Sequence, residues 1–181
     1  MNYFKISLAG DLGSGKSTVA AILSEKYGAE IISVGRLQRA MAQKLGMDTC
    51  DFNKYMETHP EYDKDLDDNI KSYESKQGNY IFDSRMAWHF VPSAFSVYMK
   101  VDICESARRI IKAGRNDEKY VSVEQAVERL KERRLSESER YKSFYGVDIK
   151  DMNNYNLVID TTNSTPEQVA EIISERYKQK T

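Results

Sequence analysis

The sequence predicts an α/β domain: a five-stranded parallel sheet with helices on both faces. Three observations carry that prediction. Five short apolar runs, at 3–9, 31–34, 80–82, 95–101 and 157–159, alternate with helical stretches, the order that generates parallel βαβ units. The runs lack clean polar–apolar alternation, as expected of strands covered on both faces. The chain is also the size of one domain, with 181 residues, only three prolines, and no repeat or low-complexity tract. A chain of this length buries roughly 70% of the surface its unfolded state exposes, so it needs no disulfide staple.

Taken in order, the first run (3–9) ends in a glycine-rich turn. From Lys16 the period becomes helical, with Val19, Ile22, Leu23 and Tyr27 on one stripe, and Gly28 suits the C′ position that stops the helix. The strand at 31–34 leads into a helix over 36–44 that Gly46 closes. Residues 48–78 are polar and read as helical, with Pro60 at a position where a helix can begin. After the strands at 80–82 and 95–101 come helices over 105–113 and 123–141. Ser122 and Gln125 form a capping-box signal for the second of these, and Val123, Val127 and Leu130 give it an apolar stripe. The strand at 157–159 precedes a last helix, opened by Thr165-Pro166-Glu167-Gln168.

Composition excludes several classes. Lys and Arg number 27 against 28 Asp and Glu, a net charge of −1, which argues against a general nucleic-acid binder. No apolar run approaches the ~20 residues of a membrane span, and the first ten residues lack the core of a secretory signal. Cys50 and Cys104 are isolated, which fits two reduced, buried thiols in a cytoplasmic protein. His59 and His89 stand alone and suggest no site.

The chemistry begins at Gly10-Asp11-Leu12-Gly13-Ser14-Gly15-Lys16-Ser17, which satisfies G-x-x-x-x-G-K-[ST] between a strand and a helix. Glycines let the backbone curl so that successive N–H groups point at phosphate oxygens, and the helix adds its positive dipole end. Lys16 can reach the β/γ-phosphates, the Ser17 hydroxyl can serve Mg²⁺, and Thr18 completes the ATP-binding residues expected over 10–18. No N/T-K-x-D guanine reader accompanies the loop: Lys64-Asp65 and Lys150-Asp151 lack its flanks. Asp83 ends the third strand, where a carboxylate can hold the hydration shell of Mg²⁺. Arg85 projects from the same edge, and Arg39 lies one helical turn beyond Gly35 at a second strand-to-helix junction. Two guanidiniums so placed can clamp one phosphate. Arg133, Glu137 and Arg140 share one helix face. That pattern fits arginines delivered to a phosphoryl transition state by a closing lid, and equally a solvated helix with i,i+4 pairs.

With these residues in view, the chain resembles the nucleoside monophosphate kinases, and more narrowly the short cytidylate-kinase-like group, from Ile6 to about Ile173. The carriers are residues 10–17, Ser33-Val34-Gly35 with Arg39, His59-Pro60-Glu61-Tyr62-Asp63, Asp83-Ser84-Arg85, Ser136-Glu137 with Arg140-Tyr141, and Tyr145-Gly146-Val147-Asp148. The resemblance implies a phosphate-loop kinase fold with a helical acceptor-binding segment (36–77) and a helical lid (114–150). It implies that Arg39 and Arg85 hold the acceptor phosphate, that Arg133 and Arg140 are lid arginines, and that Arg109 packs on adenine beside the 161–164 loop. Ser33 and Asp63 become acceptor contacts. This chain has Asp83-Ser84-Arg85 where the group usually has Glu-Gly-Arg, Ala113 where it often has Arg, and residues 114–120 that read as an insertion.

The expectation is Mg²⁺-assisted, in-line phosphorylation of a nucleoside monophosphate, CMP or dCMP, by ATP, in a monomer or homodimer. Two alternatives stay open on the sequence: a kinase of another small acceptor, or a module that binds ATP without transferring phosphate.

Overall fold

In the computed structural model, which describes residues 3–114 and 120–180, β1 (Lys5–Gly10) is the central strand. It pairs in parallel with β3 (Tyr80–Asp83) on one side and β4 (Phe95–Lys100) on the other. The edges are β2 (Glu30–Ser33) and β5 (Leu157–Asp160), giving five parallel strands in the order β2-β3-β1-β4-β5. Ile6 and Leu8 of β1 face one side and pack with Val19, Ala20 and Leu23 of α1 (Lys16–Tyr27) and Val169, Ala170 and Ile173 of α8 (Pro166–Lys180). Ala9 faces the other side, against Tyr98 and Tyr155. Helices therefore cover both faces, which is why the strand runs read as continuously apolar.

Register brings three strand ends level. Ser33 is paired with Asp83, and Leu8 with Asp83. The carboxyl ends of β1, β2 and β3 thus open on one crevice, the usual ligand position of open parallel sheets.

The helices depart from the expected boundaries for local reasons. Val34 opens α2 (Val34–Lys44) instead of closing β2, because the Ser33 hydroxyl accepts the Arg36 N–H and caps the helix. The polar stretch 48–78 forms two helices. In α3 (Thr49–Tyr55) the Asp48 carboxylate accepts the Cys50 and Asp51 N–H groups, while α4 (Glu61–Lys71) starts just after Pro60. A four-residue helix, α5 (Ala87–Phe90), and a single 3-10 turn at Met152–Asn154 are too short to show a period in sequence. Asp102 caps α6 (Ile103–Ala113). Cys104 in its first turn is exposed rather than buried, whereas Cys50 is buried. Helix α7 (Val123–Tyr145), within the segment expected as a lid, is capped by Ser122 and runs one turn beyond the expected end, to Gly146 at φ 67°. Ala126 and Leu130 of α7 pack on Ala107 and Ile110 of α6. Residues 115–119, the middle of the stretch that reads as an insertion, lie outside the described residues.

Candidate active site

The phosphate loop needs its glycines. Gly10, Gly13 and Gly15 all have positive φ, at 136°, 70° and 89°. A Cβ on Gly10 would strike the Met99 backbone, and one on Gly13 the backbone and hydroxyl of Ser106. The loop therefore lies flush against β4 and α6, and the start of α1 carries no side-chain cap. Uncapped N–H groups at a helix start form an anion site. Lys16 Nζ folds back to donate to the carbonyls of Gly10 (3.0 Å) and Asp11 (2.6 Å) and to Ser14 Oγ (3.3 Å). Burial and the nearby Arg85 guanidinium lower its amine to about 7. The loop is tied at its far end by Thr161 Oγ1, which donates to the Ser14 carbonyl at 3.1 Å.

Asp83 sits where the strand ends meet. Its Oδ2 accepts from Ser17 Oγ at 2.8 Å and from Ser33 Oγ at 3.3 Å. This all-oxygen cluster suits a hard cation such as Mg²⁺, with the Ser17 hydroxyl as ligand and the carboxylate behind it. Among the described residues no group of three or more His, Cys, Asp or Glu is placed to hold a metal ion.

Beside this cluster a cavity of about 120 Å³ is lined by Lys16, Ser17, Thr18, Leu12, Asp83, Arg39, Arg85 and Arg133. Four elements supply these residues: the loop and α1, the first turns of α2, the end of β3, and α7. A second cavity, of about 310 Å³, opens on the other side of the loop between Gly13, Ser14, Gly15, Thr18, Arg109, Thr161 and Ser164. Arg109 is fixed across it by Glu105 (3.0 Å) and by the carbonyls of Thr161 and Thr162 (both 2.8 Å).

Glu137 was not among the expected site residues, although it lies on the same helix face as Arg133. It is buried on α7, accepts from Arg133 Nε at 3.1 Å, and forms a closer ion pair with Arg85 Nε. Burial alone would raise its carboxyl, but Arg85, Arg133 and Arg140 outweigh burial and hold it down to about 2. Arg85 in turn donates to the Gly10 carbonyl at 2.7 Å.

Arg140 and Asp63 do not line either cavity. They face each other as a buried ion pair at 2.6 Å, and Arg140 also donates to the carbonyl (3.0 Å) and side chain (3.2 Å) of Asn53. Burial raises the Asp63 carboxyl despite the arginine. Asn53 is fully buried and also meets Gln38, the Arg133 carbonyl and Ser136. No sequence signal marks a lone asparagine in a polar stretch. Helices α3 and α4 thus meet α7 through this cluster.

Comparison with known proteins decides the family. The cytidylate kinase-like family model matches residues 5–163. The chain belongs to the cytidylate kinase-like family. It is 34% identical over 172 residues to the cytidylate kinase of Methanosarcina acetivorans, covering 93% of each chain. It is 35% identical over 175 residues to the S-adenosylmethionine-dependent nucleotide dehydratase of Lacinutrix mariniflava, covering 96% of this chain but only 36% of that longer protein. In fold it is similar to the shikimate kinase of Bacteroides thetaiotaomicron, at TM-score 0.66 and 13% identity over 97% of this chain and 98% of that one. The cytidylate-kinase-like chain is accordingly a nucleoside monophosphate kinase on a phosphate-loop scaffold. No described helix is long and apolar enough to cross a membrane.

Proposed function

We propose that this kinase transfers the γ-phosphoryl group of ATP to CMP or dCMP, giving ADP and CDP or dCDP. The observation that carries the reading is the single cavity into which Lys16, Ser17, Asp83, Arg39, Arg85 and Arg133 all open. The cytidine assignment is supported by the relatives named cytidylate kinase.

The roles follow from position. The adenine occupies the larger cavity beside Arg109, and the triphosphate runs along residues 10–18. Lys16 leaves the Gly10 and Asp11 carbonyls and turns to the β- and γ-phosphates. Ser17 and Asp83 would hold Mg²⁺, which would supply neutralising charge at the phosphates. Arg39 and Arg85 hold the acceptor phosphate against the loop, Ser33 stands at the acceptor edge through its bond to Asp83, and Asp63 acts only through its ion pair with Arg140. An acceptor phosphate oxygen, already anionic, attacks the γ-phosphorus, and the bond to the β-bridging oxygen breaks in line. No general base is required. Lys16 and Arg133 are assigned to catalysis from within the cavity; Arg140, the third arginine expected there, is held by Asn53 and Asp63 and is assigned to positioning α7. The work is positioning and charge stabilisation.

A coupled assay for ADP across a panel of nucleoside monophosphates tests this. The reading expects the highest kcat/KM with CMP or dCMP. ATP turnover with none of them would overturn it.

A further inference from the structure

Asp11, the second residue of the phosphate loop, turns its side chain away from the transfer cavity. Its carboxylate is nearly enclosed and fully engaged. Oδ2 accepts the Val101 N–H at 3.1 Å, and Oδ1 accepts from the Tyr98 hydroxyl at 3.0 Å. The charge partner comes from α7: Arg134 Nη2 stands 3.1 Å from Asp11 Oδ1. The Asp11 side chain is 10% exposed and that of Arg134 33% exposed. Three residues further along α7, Glu137 grips Arg85, which donates to the Gly10 carbonyl. The same helix therefore reaches the first two loop residues by two routes. Next to Arg134 on that helix, Arg133 lines the transfer cavity.

We infer that Arg134 is a positioning residue, which through Asp11 locks the phosphate loop in register with α7 and so sets the geometry in which ATP is held. Arg134 touches no reacting atom in this assignment. The inference rests on the donor assignment of the preceding section, in taking ATP as the ligand of residues 10–18. It concerns the donor alone. Contacting residues of one ion-pair network couple by an amount that corresponds to roughly two- to a hundredfold, and a pair with one side chain a third exposed falls in the lower half of that range.

The test is ATP titration by calorimetry, together with steady-state kinetics, on the full chain and on Arg134→Gln, Arg134→Lys, Asp11→Asn and the Asp11→Asn/Arg134→Gln double variant. Arg134→Gln is expected to weaken ATP about tenfold and leave the KM for CMP within about twofold. Arg134→Lys should recover part of the loss. The double variant should be little worse than the poorer single variant. The inference is overturned if Arg134→Gln binds ATP as the parent does, if the double variant loses the product of the single effects, or if Arg134→Gln raises the KM for CMP instead. If Asp11→Asn does not fold, the two Arg134 variants still decide. If the parent binds ATP but phosphorylates no nucleoside monophosphate, the proposed function falls, and the binding arm still judges Arg134.

Discussion

Replacing Glu137 by glutamine removes the negative charge that sits between three guanidiniums while keeping the side chain's shape. The size of the effect follows from the folded state. The carboxyl ordinarily titrates at 4.5 and is held down to about 2 by Arg85, Arg133 and Arg140, against the opposing effect of burial. At about 1.4 kcal/mol per tenfold change, that difference is worth on the order of 3 kcal/mol at neutral pH. Glu137 is only 4% exposed, so solvent screens little of it. The figure agrees with the roughly 3–5 kcal/mol lost when one partner of a buried ion pair is removed. A domain stable by about 5–15 kcal/mol survives the change folded. The folded-state carboxyl titrates below the unfolded one. Its contribution is therefore complete above about pH 4.5 and fades as pH falls toward 2. Urea unfolding of the parent and of Glu137→Gln at pH 7 should differ by about 3 kcal/mol, and the gap should narrow steadily below pH 4.5. Turnover at pH 7 should also fall, by roughly ten- to a hundredfold, because Arg85 and Arg133 lose their common anchor. A stability gap under about 1 kcal/mol at pH 7, or one that does not change between pH 7 and pH 3, would refute the reasoning.

Three further outcomes are expected. The Lys16 amine is lowered to about 7 by burial and Arg85, and bound phosphates favour its charged form. ATP binding at pH 8 should therefore take up protons, seen as a binding enthalpy that changes with the ionisation enthalpy of the buffer; a buffer-independent enthalpy counts against the placement. Gly10→Ala forces a Cβ onto the Met99 backbone at a φ of 136° and should abolish ATP binding or folding. Ordinary ATP affinity in a folded Gly10→Ala protein would show that the loop is not held as described. Asp83→Asn keeps the Ser17 and Ser33 contacts in shape but removes the single negative charge of the cluster. It should raise the Mg²⁺ concentration for half-maximal rate about tenfold or more, and an unshifted Mg²⁺ titration would remove Asp83 from that role.

The sheet was legible because five apolar runs alternate with helical periods, and the phosphate loop because its glycines, lysine and serine keep a fixed spacing. Boundaries were less legible where one side chain settles them, as Ser33 does by capping α2 one residue after β2. Elements of four residues or fewer, such as α5, carry no period at all. Within the site, Arg39, Arg85 and Arg133 could be listed from strand ends and helix spacing, and they do line one cavity. Which carboxylate each arginine faces could not be read. Glu137 and Glu139 look alike in a charged stripe, yet only Glu137 is buried among arginines. Arg140 falls on the same face as Arg133, but α3 and α4 approach that part of α7 and draw it to Asn53 and Asp63. Asp63 and Asn53 lie 77 and 87 residues away in sequence, so only the packing of α7 on α3 and α4 reveals them. Asp11 is a variable position of the motif, and nothing in its spacing points to Tyr98 or Arg134.

Direct transfer within the Lys16–Arg85 cavity is the central claim. Phosphorus NMR of ATP, Mg²⁺ and CMP incubated with the protein tests it most directly. The account predicts ADP and CDP in equal amounts with no inorganic phosphate, and a rate at least about a thousandfold lower in Lys16→Ala. Inorganic phosphate in place of CDP, or CDP formed at the same rate by Lys16→Ala, would contradict it.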